Sequence, residues 1–216
     1  MKITQFTVGE MGVNCYVLCD EKTGEGAVVD PGRFTEDVQN EVKKLKKVKY
    51  ILLTHGHFDH IWEVKKAKEI MGAKVVISRQ DAPCLEGDLL NLTNHIDSGL
   101  ELEECPADIT IDEGDELFLG EEKIQVMHTP GHSYGSVCYL MEESKAILTG
   151  DTLFCRTCGR VDFEGGEPEK MLESLKRLKN LEGDYLIYPG HNRATTLDEE
   201  RIKNRYLKRD LDKWYW

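Results

Sequence analysis

Four short apolar runs in this chain each end on side chains that can bind a metal. Tyr50-Ile51-Leu52-Leu53 leads to His55 and His57. Lys123-Ile124-Gln125-Val126-Met127 leads to His128 and, past Thr129-Pro130-Gly131, to His132. Ala146 to Gly150 leads to Asp151, and Tyr185 to Gly190 leads to His191. Short apolar runs bounded by turn residues read as buried strands. One strand ending on a histidine constrains little. Four of them call for a fold whose strands finish on a common edge of packed sheets, where the polar ends converge.

The densest stretch is Thr54-His55-Gly56-His57-Phe58-Asp59-His60. Imidazole nitrogen and carboxylate oxygen suit zinc, iron and manganese. His55, His57, Asp59, His60, His132, Asp151 and His191 together exceed what one ion uses and fit two if a carboxylate is shared. Two divalent cations need anionic compensation, and a bridging aspartate supplies it. Counting does not say which ligand serves which ion. Gly56, Gly131 and Gly190 suit tight turns beside the histidines. His128 fits either a residue that orients a ligand by hydrogen bond or a buried structural histidine. His95 has no partner pattern and reads as a loop residue.

Around these motifs, residues 2–8, 13–19, 26–30, 74–78, 115–119, 122–128, 135–141, 145–149 and 185–188 read as strands. Helices are expected near 34–46, 60–71 (ending at Gly72), 168–178 and 198–213. Residues 80–112, with the acidic Glu101-Leu102-Glu103-Glu104, resist assignment and read in part as an insertion or lid. No repeat or linker interrupts the chain, so a single domain over 1–216 is the expectation. The net charge of −12 argues against a nucleic-acid partner, because phosphate binding needs a positive field. No apolar run reaches the about 18 residues of a membrane span. The start, Met1 to Val8, alternates like a strand and lacks a secretory h-region, which gives a cytoplasmic expectation. The basic stretch Arg201 to Trp216 reads as a solvated terminal helix. Seven cysteines without a dense framework read as free thiols, and Cys155-Arg156-Thr157-Cys158 alone is weak evidence for a redox pair.

The ordered motifs His55-x-His57-x-Asp59-His60, Thr129-Pro130-Gly131-His132, Gly150-Asp151-Thr152 and Pro189-Gly190-His191 resemble those of the metallo-β-lactamase superfamily. Asn14-Cys15-Tyr16 and Asp30-Pro31-Gly32 look like its opening strands. Gly159-Arg160-Val161-Asp162-Phe163 is similar to the glyoxalase II (hydroxyacylglutathione hydrolase)-like branch. The resemblance implies an α+β, four-layer αββα sandwich, two mixed β-sheets flanked by helices, with metals at one edge. It implies that His55, His57 and His132 bind one ion, that Asp59, His60 and His191 bind a second, and that Asp151 bridges them. Zinc is the expected metal, with iron or manganese as alternatives. Asp151 in the bridging place argues against a β-lactamase of the common kind, where that position resembles a cysteine.

The implied activity is a dinuclear metal-dependent hydrolase in which a bridging hydroxide attacks a thioester or ester carbonyl, with Asp59 also orienting the hydroxide. The chain departs from glyoxalase II where glutathione is gripped. Arg160 stands at the lysine position, Asp162 at the first tyrosine and Arg193 at the second, and no added C-terminal glutathione-binding helical domain is expected. Arg160 and Arg193 are candidates for binding an anionic small-molecule substrate, since guanidinium pairs well with carboxylate or phosphate. The Cys158-Gly159-Arg160-x-Asp162-Phe163 loop also resembles persulfide dioxygenases, which use one iron. Lactone or phosphodiester hydrolysis is a further alternative.

Overall fold

The computed structural model describes residues 1–87, 89–95 and 102–208. Strands β1 (Lys2–Val8), β2 (Val13–Cys19), β3 (Glu25–Val29), β4 (Lys47–Leu52), β5 (Lys74–Ser78) and β6 (Ile109–Ile111) form one sheet in chain order. β1, β2 and β3 pair antiparallel, and β3 to β6 pair parallel. Parallel neighbours need crossovers. The first two are supplied by α1 (Glu36–Val42) and by α2 (Phe58–Ile61) with α3 (Val64–Met71), and the third, from β5 to β6, runs through residues 79–108. The second sheet is built from β7 (Glu116–Leu119), β8 (Glu122–His128), β9 (Val137–Met141), β10 (Ala146–Gly150), β13 (Leu186–Pro189) and β14 (Thr195–Thr196), in the order β14-β13-β10-β9-β8-β7. Its parallel pair, β10 with β13, is crossed over by α4 (Pro168–Lys179). A small ribbon of β11 (Leu153–Phe154) and β12 (Thr157–Cys158) stands between them in the chain, and α5 (Leu197–Lys203) and α6 (Arg205–Lys208) follow β14.

Alternation along the strands creates three apolar interfaces. Tyr16, Leu18, Val29 and Leu52 of the first sheet meet Ile124, Val126, Tyr139 and Leu148 of the second. The other face of the first sheet, with Val17, Ile51 and Val75, packs on Phe34, Val38, Ile61 and Val64. The other face of the second, with Leu140, Ile147 and Ile187, packs on Met171, Leu175, Leu178 and Leu197. Helix, sheet, sheet and helix are therefore the four layers, and both sheets are mixed, as the resemblance implies.

Several element boundaries differ from the periodicity. The expected helix over 34–46 is α1 alone, started by Thr35, whose hydroxyl accepts from Val38 N. The expected helix over 60–71 begins earlier, at Phe58, and breaks at Trp62–Glu63, where the Glu63 carboxylate accepts from Phe34 N at 2.6 Å. Asp59 thus lies in the first turn of α2. Gly72 ends α3 with φ +62°, as expected. The expected helix over 198–213 breaks at Asn204, whose amide donates to Thr157 O at 2.9 Å, and its residues 209–213 lie outside the described residues. Residues 80–112 hold three 3₁₀ turns (Ala82–Glu86, Leu89–Asn91, Thr93–His95) and β6, while 96–101, including Glu101, lie outside the described residues. Among the described residues no helix is long and apolar enough to cross a membrane. Cys155 and Cys158 are free thiols, and burial pushes Cys158 up to about 12, opposite to the depressed value of a redox-active cysteine.

Candidate metal centre

The four strand ends meet. β4 runs through Leu53 and Thr54 into His55, β8 ends at His128 ahead of the His132 loop, β10 ends beside Asp151, and β13 ends beside His191. Backbone bonds stitch the ends together. Val137 N donates to Thr54 O at 2.8 Å, Gly190 N to Gly150 O at 2.8 Å and Asn14 N to Gly190 O at 2.7 Å. The side chains of the Asn14-Cys15-Tyr16 motif finish the clamp. Asn14 Nδ2 donates to Pro189 O and Asn192 O, and the Tyr16 hydroxyl donates to Pro189 O at 2.6 Å. His191 is thus held by a strand far away in sequence.

The structure brings together His55, His57 and His132 as one set and Asp59, His60 and His191 as another, and Asp151 joins His55 and His60. His60 Nε2 lies 3.4 Å from Asp151 Oδ1, and His132 Nε2 lies 3.4 Å from Asp151 Oδ2. His191 Nε2 lies 3.4 Å from Asp59 Oδ2 and 3.5 Å from Asp151 Oδ2. Four ligands about 2.1 Å from a central cation stand about 3.4 Å apart, the edge of the tetrahedron. These four spacings match ligands around an ion and are long for hydrogen bonds, whereas His57 Nδ1 and His132 Nε2 stand at hydrogen-bond distance, 2.8 Å. Among the described residues, the buried atoms His55 Nε2, His57 Nε2 and Asp151 Oδ1 have no hydrogen-bond partner. Buried polar atoms are otherwise almost always satisfied, so the orphans fit a cation-binding role.

The titration behaviour agrees with that fit. Burial, reinforced by neighbouring histidines, holds His55 and His57 well below the usual imidazole value, so their lone pairs are available. Burial also opposes charge on His60, but Asp59, Asp151 and Asp30 outweigh it and carry it up to about 10. His191 is raised as well, against burial, through Asp59 and Asp151. Burial raises Asp59, yet His60 and His191 bring it below the usual carboxylate range. Protonated imidazoles stand where positive charge is wanted, and taking up an ion displaces those protons.

Residues outside the seven orient them. Asp30 Oδ2 accepts from His60 Nδ1 at 3.0 Å and from the Thr54 hydroxyl at 2.6 Å, while Asp30 Oδ1 accepts from Thr54 N at 2.8 Å. The Thr54 oxygen is also 3.1 Å from His55 Nδ1, so one carboxylate reaches two histidines. His132 Nδ1 donates to Arg160 O at 2.7 Å, which leaves Nε2 facing inward. Asp81 accepts from Gly56 N, Ser133 Oγ and Gly135 N. Neither aspartate has a local signature of this work. Asp30-Pro31-Gly32 reads as a turn that also resembles a family motif, with no sign of a bond to a histidine, and Asp81 falls in the unassigned stretch.

A cavity of about 650 Å³ opens over the cluster, floored by His57, Asp59, His132, Asp151 and His191 and walled by Met11, Phe154, Phe163 and Arg160. His95, which reads as a mere loop residue, also lines it. Arg160 reaches the cavity but is already engaged. Its guanidinium makes two 2.9 Å bonds to Asp162 and lies 4.1 Å from the Phe163 ring centre. Arg193 is exposed and does not line the cavity. His128 is half-buried and 2.9 Å from Tyr134 O, so it braces the turn after His132 and orients no ligand. Of the three glycines beside the histidines, Gly131 has a left-handed backbone, φ +138°. Gly190 instead allows close approach, since a Cβ there would lie 2.1 Å from Asp151 Oδ1.

Gly32 carries the same constraint for α2. A Cβ at this position would lie 1.5 Å from the Asp59 carbonyl oxygen, a clash with backbone that no rotamer relieves. Gly32→Ala is expected to push α2 outward, to destabilise the chain by about 3 kcal/mol and to loosen Asp59 and His60. Thermal melting of the metal-free protein with metal analysis after reloading checks both effects.

The chain is similar to known proteins over nearly its whole length. The chain is 31% identical to the probable metallo-hydrolase YqgX of Bacillus subtilis, covering 96% of this chain and 98% of that one. It is 30% identical to the hydroxyacylglutathione hydrolase GloC of Haemophilus influenzae, with the same coverage. Among solved structures it is similar to the BLEG-1 B3 metallo-beta-lactamase (TM-score 0.88, 30% identity, 95% of this chain and 99% of that one). It also aligns with TTHA1623 in a di-iron-bound form (TM-score 0.81, 32%, 94% and 100%) and with ETHE1 from Myxococcus xanthus (TM-score 0.80, 29%, 98% and 87%). The family profile matches residues 8–191, the span from the end of β1 to the last histidine of the cluster, and the chain belongs to the metallo-beta-lactamase superfamily.

Proposed function

We propose that this chain is a dinuclear metal-dependent hydrolase of thioesters or esters, glyoxalase II-like in its chemistry. His55, His57 and His132 hold one divalent ion, Asp59, His60 and His191 hold the other, and Asp151 lies between them. The observation that carries this reading is the spacing of the two sets, each complete and each touching Asp151. Such an ion pair supplies a water of lowered pKa and polarises an acyl oxygen. The chain's own residues do the rest. Asp59 faces the cavity beside His191 and is placed to take a hydrogen bond from the attacking water. Phe154 and Phe163 exclude bulk water from the cavity wall. The likeness to GloC supports the thioester class, and zinc is the metal proposed first. The likeness to a di-iron protein makes iron the alternative.

Metal analysis by mass spectrometry on protein purified without added metal or chelator tests the reading. Two ions per chain are expected, with hydrolysis of S-lactoylglutathione or another thioester that stops on chelation. A panel with a chromogenic cephalosporin covers the likeness to BLEG-1. One iron per chain, with oxygen uptake on glutathione persulfide, would replace the hydrolase by the second reading, a mononuclear iron dioxygenase. The likeness to ETHE1 is compatible with that second reading.

Arg160 is proposed to hold the anionic part of the substrate, exchanging Asp162 for it. Arg160→Ala is expected to raise KM for an anionic thioester about ten-fold, or ~1.4 kcal/mol, with kcat little changed. An unchanged KM would leave Arg160 as an exposed ion-pair residue.

A further inference from the structure

Asp81 is a buried carboxylate outside both ligand sets. It is 3% exposed. It stands just before a 3₁₀ turn with proline in its first positions, where an aspartate ordinarily caps the free N–H groups. Its side chain caps nothing there. Instead Oδ2 accepts from Gly56 N at 2.9 Å and from Ser133 Oγ at 2.7 Å, and Oδ1 accepts from Gly135 N at 2.7 Å. Gly56 is the residue between His55 and His57, and Ser133 follows His132. One carboxylate therefore ties the two loops that carry all three histidines of the first set.

The approach is close enough to exclude other residues. A Cβ on Gly135 would lie 2.5 Å from Asp81 Oδ1. Ser133 Oγ is also 2.7 Å from Ser136 Oγ, and Ser136 Oγ accepts from Ser133 N at 3.1 Å, so the His132 loop is folded around the carboxylate. The second set is held by other means: His60 by Asp30, and the His191 turn by Asn14 and Tyr16. No bond from Asp81 reaches Asp59, His60 or His191 among the described contacts.

We propose that Asp81 is the positioning residue of the first ion alone, fixing the distance between the His55-Gly56-His57 loop and the His132 loop. It thereby sets the affinity of that half of the pair independently of the other half. The inference rests on the ion pair proposed above. Carboxylates that hold ligand-bearing groups in place commonly change metal affinity about 10- to 100-fold when removed.

The test is Asp81→Asn, which keeps the volume. An amide presents one acceptor oxygen to three donors, and its NH₂ must face at least one of them. In the variant, chelator competition is expected to show the first zinc bound about 10- to 100-fold more weakly and the second unchanged. Long-range ¹H–¹⁵N spectra of the histidine rings say which site is affected. His60 and His191 should keep their metal-bound signals, while His55, His57 and His132 move toward free imidazole. Ser133→Ala removes one donor and keeps both backbone bonds, so a smaller shift in the same direction is expected. Two zinc ions at wild-type affinity in Asp81→Asn, or equal loss of both, would overturn the proposal. If Asp81→Asn does not fold, Ser133→Ala decides: unchanged affinity at both sites overturns it. A wild-type chain with one ion fails the ion-pair reading separately. Asp81 is then judged on whether its substitution releases His55, His57 and His132 from that ion.

Discussion

Asp151→Ala is expected to cost the chain both ions together and to lower kcat/KM by on the order of 10⁴-fold or more, about 5.5 kcal/mol. The geometry makes this the most damaging single change. Asp151 is the carboxylate that reaches both sets, with Oδ1 3.4 Å from His60 Nε2 and Oδ2 3.4 Å from His132 Nε2 and 3.5 Å from His191 Nε2. Removing it takes away an anion from each half and leaves histidines to carry two divalent charges with Asp59 alone. The backbone there is independently anchored, since Thr152 N bonds Thr149 O and Gly190 N bonds Gly150 O. Loss of metal should therefore not arise from unfolding. Mass spectrometric metal analysis and a thermal melt of the metal-free variant separate the two. A variant that still holds a full pair of ions would refute the shared position of Asp151.

That position was legible because ligand chemistry and strand hydrophobicity coincide in sequence. A run such as Ala146-Ile147-Leu148 is apolar enough to be a strand wherever it occurs, and what it delivers is the next polar residue. The helices were less legible where long-range bonds override local periodicity. Phe58 to Met71 has continuous helical spacing, yet Glu63 is drawn onto Phe34 N and the helix breaks. Strands β11, β12 and β14 have two residues each, too few for any period to show. Arg193 and Arg160 looked equivalent as free cations. Only the fold distinguishes one beside Phe163 from one outside the cavity lining. Asp30 stands in a motif of the resemblance, but its role, like that of Asp81, has no signature in the sequence for a related reason. Each acts on groups far along the chain, such as His60 for Asp30 and Gly135 for Asp81, and no local pattern encodes such a bond.

Asp30 should accordingly be the second most sensitive position, and two substitutions separate its roles. It is 1% exposed and sits in a left-handed backbone conformation, φ +48°. Asp30→Ala leaves Thr54 N, the Thr54 hydroxyl and His60 Nδ1 without their acceptor. Breaking a buried, charge-assisted network by deleting one partner costs about 3–5 kcal/mol, which a melt of the metal-free protein would register as a large fall in Tm. Asp30→Asn keeps the shape but cannot satisfy every donor. With the amide NH₂ toward His60, Nδ1 must become the acceptor, the proton moves to Nε2, and the lone pair that faces Asp151 is lost. With the NH₂ toward Thr54 N, two donors face each other in a buried site. Either way the asparagine variant should fold with a smaller penalty, about 1–3 kcal/mol. It should still bind the second ion some 10- to 100-fold more weakly, because His60 belongs to that set. Competition with a chelator measures the affinity and the melt measures the fold. An asparagine variant with both ions at wild-type affinity would show that Asp30 holds the turn and not the tautomer of His60.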